Sequence, residues 1–476
     1  KDLDARINIL HAYGWEESSF PAEWVNDFNM HLQGITVMSS QVKKILIDNG
    51  VNIPIEVSGI GLDHIDKIKA DVDFKLQAKK YRILHISSCF PRKGIDILLQ
   101  AFCDTFTDKD EVSLVIKTFK NPHNDIEKLL DEIRNNNSNI PEIIVLNNDL
   151  TDEQIKSLLL QSNVLIAPSR GEGFGLPIGE AMRLGIPVIT TGWGGQLDFC
   201  TNENSWLIDF QFVFSNSHFN IEQSYWAEPS SKHLSKLMYE VYSSDQETLN
   251  NKISEAQKNT YHLTWDKVVE KNLNFVQNKC IKCKPNNFKL GLLTTWNSRC
   301  GIASYSKNLF SEIRDEILVF SPYEEEIESN CKNILPAWHL NNGNQNFQYL
   351  YKMIISEDIT TLFIQFNYGF YCFEKLSKLI DDLYEKNINI VILLHATIDP
   401  ENDLNKKLSQ LQNCLLKCNM VFVHSIHDLN RLKALGITQN VNLLPHGITD
   451  SLPKVHWSKS IKNKVNFRHK KRIASY

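Results

Sequence analysis

No stretch of these 476 residues approaches the roughly 18 consecutive apolar positions that a membrane-spanning helix requires. The run "INIVILL", Ile388 to Leu394, has the length of a buried strand instead. No secretory leader is visible, and the first residue is Lys1. The ten cysteines follow no regular framework, which speaks against a disulfide scaffold and suits a reducing, cytoplasmic compartment. A formal net charge of −5 excludes the strongly basic balance of a nucleic-acid-binding protein, so no nucleic-acid partner is expected. With 42% hydrophobic and 22% charged residues the chain is neither collagenous nor disordered, and its length provides for roughly two to four domains.

What is present is alternation. From Lys80, "YRILHISS" reads as a strand, "GIDILLQAF" as a helix, "EVSLVIKTF" as a strand and "NDIEKLLDEIRNN" as a helix. "EIIVLNN" is then a strand and "DEQIKSLLLQS" a helix. Strands separated by helices imply α/β, doubly wound parallel sheets covered on both faces. A helix near "TWDKVVEKNLNFVQ" closes this run, a linker follows, and "FKLGLLTTW" at Phe288 opens a new set.

The stretch "SRGEGFGLPIGEAMRLG", Ser169 to Gly185, frames glycines with two carboxylates, Glu172 and Glu180. "NVLIAPS" before it is a strand, Pro177 suits the first turn of a helix, and "IPVITT" is the next strand. A strand, a loop exposing its backbone and a helix N-terminus make a place where open α/β sheets bind anions. Gly179 inside the helix costs about 1 kcal/mol against Ala, so something is expected to approach the backbone closely there. The alternating Gly171, Gly173 and Gly175 do not fit the dinucleotide fingerprint.

The chain also repeats itself. "INILHAYGW", "GITVMSSQVKKILIDNGV" and "IPIEVSGIGLD" near the start are echoed by "INIVILLHATID", "MVFVHSIHDLNRLKALGI" and "VNLLPHGIT" near the end. His11 pairs with His395, Ser40 with Ser425 and Gly61 with Gly447, at offsets of 384, 385 and 386 residues. The chain is therefore expected to be a fragment of a longer tandem protein, starting halfway through one unit and stopping inside another.

"EGFGLPIGEAMRLGIPVITT" resembles the nucleotide-sugar motif of retaining glycosyltransferases of family 4, the glycosyl transferases group 1. "SSCFPRKGIDILLQAF" resembles that family's basic loop and helix. "WNSRCGIASYSKNL" resembles its N-terminal glycine loop, and "YGWEESSFPAEWVNDFN" the latter part of its N-terminal domain. The resemblance implies the GT-B fold, in which two Rossmann-like domains face each other across a cleft. It places the back half of a first N-terminal (acceptor) domain at 1–75 and a complete donor-binding domain at 76–280. A linker at 281–283, a second N-terminal domain at 284–452 and a connector at 453–476, opening a truncated second donor domain, would follow.

The same resemblance implies a nucleotide sugar as donor substrate, with no metal or other cofactor, and a glycan or lipid-linked glycan as acceptor. Glu180 would accept both ribose hydroxyls, and Glu172 would face the donor sugar. The loop Gly173, Phe174, Gly175 and Leu176 would meet the pyrophosphate with the helix N-terminus, and Lys93 and Arg92 would hold leaving-group charge. The family usually carries an Arg six positions before the Lys, where this chain has Ser87. His395, and His11 through the repeat, match an acceptor-side His of the family. A His after a strand also serves structure, and the lesser reading of Arg92–Lys93 is a solvated charged turn. Glu16 and Glu17, beside Trp15, fit either a sugar contact or an acidic helix start.

Three signals carry less. "DVD", Asp71 to Asp73, matches a metal-binding D-x-D but lies in a charged connector, and "CIKC", Cys280 to Cys283, lacks the second pair a zinc site needs. The basic run Lys454 to Arg472 suits a connector or peripheral contact with anionic lipid at the inner membrane face. The functional expectation is sugar transfer in bacterial surface polysaccharide or lipopolysaccharide synthesis. The alternative is a non-catalytic nucleotide-sugar-binding or scaffold module; an epimerase of like architecture ranks third.

Overall fold

Apolar runs become parallel strands and the amphipathic stretches between them become the crossover helices, in two units, Lys1–Asn286 and Asn287–Tyr476. The computed structural model describes residues 7–136, 139–217, 219–280, 289–311, 313, 317–326, 333–340, 345–401, 403 and 406–447. The 281–283 linker with Cys283, and the 453–476 connector with the basic run Lys454–Arg472, lie outside the described residues.

Unit 1 opens with β1 (Ile9–Tyr13), α1 (Ala22–His31), β2 (Gly34–Val37), α2 (Ser40–Asp48), β3 (Ile55–Val57) and α3 (His64–Lys67). The three strands form one parallel sheet in the order β1-β2-β3. Its core is Trp15, Phe20, Val37, Val42 and Leu46, all nearly or fully buried. The alternating run follows as β4 (Tyr81–Ile86), α4 (Ile95–Thr105), β5 (Val112–Lys117), α5 (Ile126–Asn136), β6 (Glu142–Leu146) and α6 (Asp152–Leu160). It continues with β7 (Val164–Ala167), α7 (Leu176–Arg183), β8 (Val188–Thr191) and β9 (Trp206–Ile208). An antiparallel hairpin, β10 (Phe210–Phe214) and β11 (Tyr225–Pro229), precedes α8 (Ser231–Ser243), α9 (Gln246–Tyr261) and α10 (Trp265–Phe275).

The second sheet is six-stranded and parallel, in the order β6-β5-β4-β7-β8-β9. The order reverses between β4 and β7, and a crevice opens at the carboxyl ends of strands where it does so. Every residue of the inner strand β5 is buried, which explains its near-continuous apolar run. Local chemistry agrees with the pattern at the helix starts: Thr151 and Gln154 form a capping box on α6, and Ser39, Ser230, Asp245 and Thr264 cap α2, α8, α9 and α10.

Unit 2 contains β12 (Leu290–Leu293), α11 (Gly301–Phe310), β13 (Ile317–Pro322), β14 (Ile334–Trp338), α12 (Gln348–Ser356) and β15 (Thr361–Phe366). It goes on with α13 (Phe373–Glu385), β16 (Asn389–Leu394), α14 (Gln412–Lys417), β17 (Met420–Val423), α15 (Ile426–Ala434) and β18 (Val441–Leu443). Its parallel sheet runs β14-β13-β12-β15-β16-β17-β18, with the reversal between β12 and β15. Both units therefore have the Rossmann-like architecture of GT-B domains that the sequence leads one to expect.

Candidate functional site

The two loops that flank the reversal in unit 1 carry the chemistry. The loop after β4 turns through Arg92 and Lys93 to Gly94, the loop after β7 carries Glu172, and the two meet. Gly94 has a left-handed φ of 66°, and a Cβ there would lie 2.1 Å from the Pro168 carbonyl oxygen, so only glycine fits between the loops. Across this junction Lys93 Nζ donates to Glu172 Oε2 at 2.6 Å, and Ser169 Oγ donates to the same oxygen at 3.1 Å. Both side chains of the pair are largely buried, at 15% and 11% exposure. Burial alone would raise the Glu172 carboxyl, but Lys93 and Arg92 beside it, with the hydrogen bonds from Lys93 and Ser169, hold it below its usual value.

Arg92 lies next to this pair and has a carboxylate of its own: its Nη2 is 3.0 Å from Glu16 Oε1. Glu16 belongs to the loop after β1, which packs on the glycine stretch. A Cβ on Gly171 would lie 2.4 Å from the Glu16 carbonyl oxygen, and one on Gly173 would meet Trp15 at 3.5 Å. α7 starts at Leu176 behind Gly175, which offers no side-chain cap, leaving its first N–H groups to the loop and to ligands. Of the other loop residues, Phe174 is 4% exposed and packs on Phe199, so it offers backbone only, whereas Leu176 is exposed.

Ser87 takes no charge to the site. Its hydroxyl is bound to His85 Nε2 at 2.7 Å, while His85 Nδ1 donates to the Ile166 carbonyl oxygen at 2.8 Å. Burial holds that imidazole down to about pKa 4, so it stays neutral. Arg170 is likewise absorbed: it forms paired hydrogen bonds with Asp96 and with Glu228.

Glu180, on the buried side of α7, has a partner the sequence analysis missed. His64 Nε2 stands 2.8 Å from Glu180 Oε1. Burial raises the Glu180 carboxyl, with the His64 hydrogen bond opposing. The group that approaches the backbone at Gly179 is the side chain of Leu62, whose Cδ1 would lie 2.8 Å from a Cβ.

The two histidines expected on the acceptor side are not equivalents. Strand register pairs Leu10 with Ile35 and Tyr13 with Val37 in unit 1, and Ile392 with Val421 and Leu394 with Val423 in unit 2. β1 contains a bulge at His11–Ala12, where Ala12 has a φ of 48°. Gly14, which follows Tyr13, therefore takes the place of His395, which follows Leu394. Met38 takes that of His424, and Ser39, the residue that caps α2, corresponds to Ser425 in place of Ser40. His11 instead lies exposed on β1, its Nδ1 near Thr36 Oγ1 at 2.9 Å and Asn272 Oδ1 at 3.0 Å. Among the described residues no hydrogen bond or ion pair joins it to Glu172 or Glu180.

In unit 2, His395, His424 and His446 end or follow β16, β17 and β18, and the ring of Tyr305 touches all three. His424 Nδ1 donates to the Leu444 carbonyl oxygen at 2.8 Å, and its Nε2 meets His395 Nδ1 at 3.3 Å. His395 Nε2 faces Gln365 Oε1 at 2.7 Å, while the buried Gln365 Nε2 has no partner. Turning that amide over lets Nε2 donate to His395 and His395 Nδ1–H donate to His424, which pairs all these nitrogens with neutral rings. Burial, with His424 and His446 nearby, keeps His395 down to about pKa 3.

The remaining acidic residues sort structurally. Glu16 and Glu17 do not start a helix, since α1 begins at Ala22. Glu17 is 2% exposed, and its Oε2 accepts from Ser215 and Ser224. Asp71 of "DVD" folds back to accept from the backbone of Asp73 and Phe74. Among the described residues no group of three His, Cys, Asp or Glu side chains is placed to hold a metal.

Residues 66–213 match the family described as glycosyl transferases group 1. The chain is 31% identical over 166 residues to the MMP alpha-(1->4)-mannosyltransferase of Mycolicibacterium hassiacum, covering 34% of this chain and 37% of that protein. It is 33% identical over 122 residues to the O-antigen biosynthesis glycosyltransferase WclY of Escherichia coli, covering 23% of this chain and 33% of that one. The chain thus spans about a third of the length of these curated relatives. Among solved structures, Anabaena HepE in complex with UDP and glucose aligns at a TM-score of 0.44 and 20% identity, over 57% of this chain and 71% of that one. The stretch 66–213 that matches the glycosyl transferases group 1 model contains Arg92, Lys93, Glu172 and Glu180.

Proposed function

We propose that unit 1 binds a nucleotide-sugar donor and serves a retaining transfer of its sugar to a glycan or lipid-linked glycan. The observation that carries the reading is the buried Lys93–Glu172 pair, set where the two loops of the sheet reversal meet, beside the uncapped start of α7. In this reading the pyrophosphate takes the α7 N–H groups together with Lys93 and Arg92. Those cations then stabilise charge as the diphosphate leaves. Glu180 accepts the ribose hydroxyls, and Glu172, released from Lys93 or sharing it, faces the sugar. The charge on the leaving group is thus assigned to side chains, with no metal. Retention and the choice of a hexose rest on the family resemblance. A role in surface polysaccharide synthesis is supported by the name of one curated relative, an O-antigen biosynthesis glycosyltransferase; a place at the cytoplasmic face of the membrane is part of the same proposal. No described helix is long and apolar enough to cross a membrane. In unit 2 the proposal extends to His395 as an acceptor-side residue.

A second reading, a donor-binding module without turnover, is favoured by two observations: Ser87 is tied to His85, and Arg92 is held by Glu16. Calorimetric titration of UDP, GDP and ADP sugars into the chain and into Glu180→Ala tests both. Selective binding by one nucleotide class, weakened at least about tenfold in the variant, is expected. No binding by any of them sinks the donor site. Binding without release of the nucleoside diphosphate, when candidate glycan acceptors are added, favours the module.

A further inference from the structure

We infer that His64 is the positioning residue of the donor site, holding the Glu180 carboxylate in the orientation that receives the ribose hydroxyls. This rests on the nucleotide-sugar reading above.

The connector that carries His64 is fixed on both sides. Leu62 N donates to the Leu263 carbonyl oxygen at 2.8 Å, and Trp265 N donates to Asp63 Oδ1 at 2.8 Å. A Cβ on Gly61 would lie 2.4 Å from Trp265 N, so the backbone lies directly on the start of α10. Leu62, fully buried, seats on Gly179 of α7. One turn along both elements, Asp66 Oδ2 takes Arg183 Nη2 at 2.6 Å and Nε at 2.9 Å. His64 sits between Leu62 and Asp66, and Glu180 sits between Gly179 and Arg183. The two contacts on either side therefore set the backbone so that the imidazole, 34% exposed, meets the carboxylate.

The hydrogen-bond inventory of the ring then assigns its proton. His64 Nδ1 is buried and without a partner. A proton there would be a buried N–H with no acceptor, so the neutral ring carries its proton on Nε2 and donates it to Glu180 Oε1. One carboxylate oxygen is thereby engaged and the plane of the group is set, leaving Oε2 to accept from the ligand. Other charged groups around Glu180 do not substitute for this. Asp152, at the start of α6, acts to keep the proton on Glu180. Asp66 and Arg183 neutralise each other, and Lys156 Nζ is used on the carbonyl oxygens of Ile65 and Ile68.

Two consequences follow that a merely structural histidine would not produce. Discrimination between a ribose and a 2′-deoxyribose depends on His64. The pH below which binding is lost also depends on it, because the His64 hydrogen bond opposes protonation of Glu180; without it, binding fails at higher pH. The experiment titrates UDP, GDP and ADP and their 2′-deoxy counterparts into the full chain, His64→Ala, His64→Gln and Glu180→Ala across the acidic range. The ribonucleotide that binds should be favoured over its deoxy form at least about tenfold in the unaltered protein. In His64→Ala the preference should shrink to about threefold or less, and the acid limb should move up in pH. His64→Gln, whose amide N–H can replace Nε2–H, should restore both. If His64→Ala does not fold, His64→Asn, too short to reach Oε1, replaces it in the comparison. An unchanged preference and acid limb in the His64 variants, with binding lost in Glu180→Ala, overturns the role of His64 and leaves the donor site standing. No binding of any nucleotide to the unaltered chain overturns both.

Discussion

At the scale of single residues the donor-side cluster is an exchange of charges within the protein. Lys93 and Arg92 face Glu172 and Glu16 at 2.6 and 3.0 Å. Removing one partner of a buried pair leaves the other uncompensated, which costs about 3–5 kcal/mol, far more than an exposed pair is worth. Lys93→Ala is therefore expected to lower the urea midpoint of unit 1 strongly, and Lys93→Met combined with Glu172→Gln to recover most of the loss. Equal midpoints for the single and double variants would show that the pair is not coupled. The same pair sets an acid response. Because the Glu172 carboxyl is held low in the fold, its stabilisation is complete above the ordinary carboxylate range and is lost as pH falls through the folded value. Lys93→Ala should flatten that limb in a series of thermal melts. As candidates, Glu172, Glu180 and Lys93 were legible in the sequence because glycines, flanking strands and a helix start mark the stretches that carry them. His64 was not, because its partner lies 116 residues away and no local spacing marks a lone histidine.

At the scale of elements, most strands and helices followed from periodicity, since buried parallel strands are largely apolar and several helices, such as α2, α6 and α15, are capped by Ser or Thr. The failure came where the sequence echo and the strand register disagree. "LHA" at both ends of the chain invites the match of His11 to His395, but the register already sets Leu10 against Ile392, and the bulge at Ala12 inserts one residue more, so that Gly14 stands in that place. The neighbouring side chains agree: His395 contacts His424, and a Cβ on Gly14 would lie 2.9 Å from Met38 Sδ. A bulge is set by tertiary packing and leaves no mark in a hydrophobic pattern. Gly179 shows a similar limit. Its cost within a helix was visible, but not that Leu62, 0% exposed, fills the space. Gly179→Ala should consequently miss the gain of about 1 kcal/mol that a helix interior normally returns. Overpacking against Leu62 should leave a net loss of up to about 2 kcal/mol. Gly179→Ala with Leu62→Val, measured by denaturant unfolding, should fare better than the sum of the two single changes; strict additivity would remove the steric explanation.

At the scale of the whole chain the two units differ in what they can report. Unit 2 has a cluster of three histidines at the edge of its sheet, and unit 1 has Gly14 and Met38 where two of them would stand. An imidazole held far below its ordinary value stays neutral in the fold while the unfolded chain takes up a proton. The stability it contributes is whole above about pH 6.5 and declines as pH falls toward its folded value of about 3 for His395. His395→Gln should therefore weaken the acid sensitivity of unit 2, and hydrogen exchange at pH 7 and pH 5 can resolve this for β16 and β17 separately from unit 1. The same measurement locates the donor. A ligand at 100 times its Kd stabilises the state that binds it by about 2.7 kcal/mol, roughly a hundredfold slowing of exchange for amides that open only with that state. The loop bearing Arg92 and Lys93, the glycine stretch and the start of α7 should show the protection, because their N–H groups and charges meet the diphosphate directly. The edge around His395, where the neighbouring Arg431 is held by Asp428 and Thr397, should exchange as before. Protection there instead would place the nucleotide in unit 2 and show that unit 1 is the wrong half of the chain for the donor site.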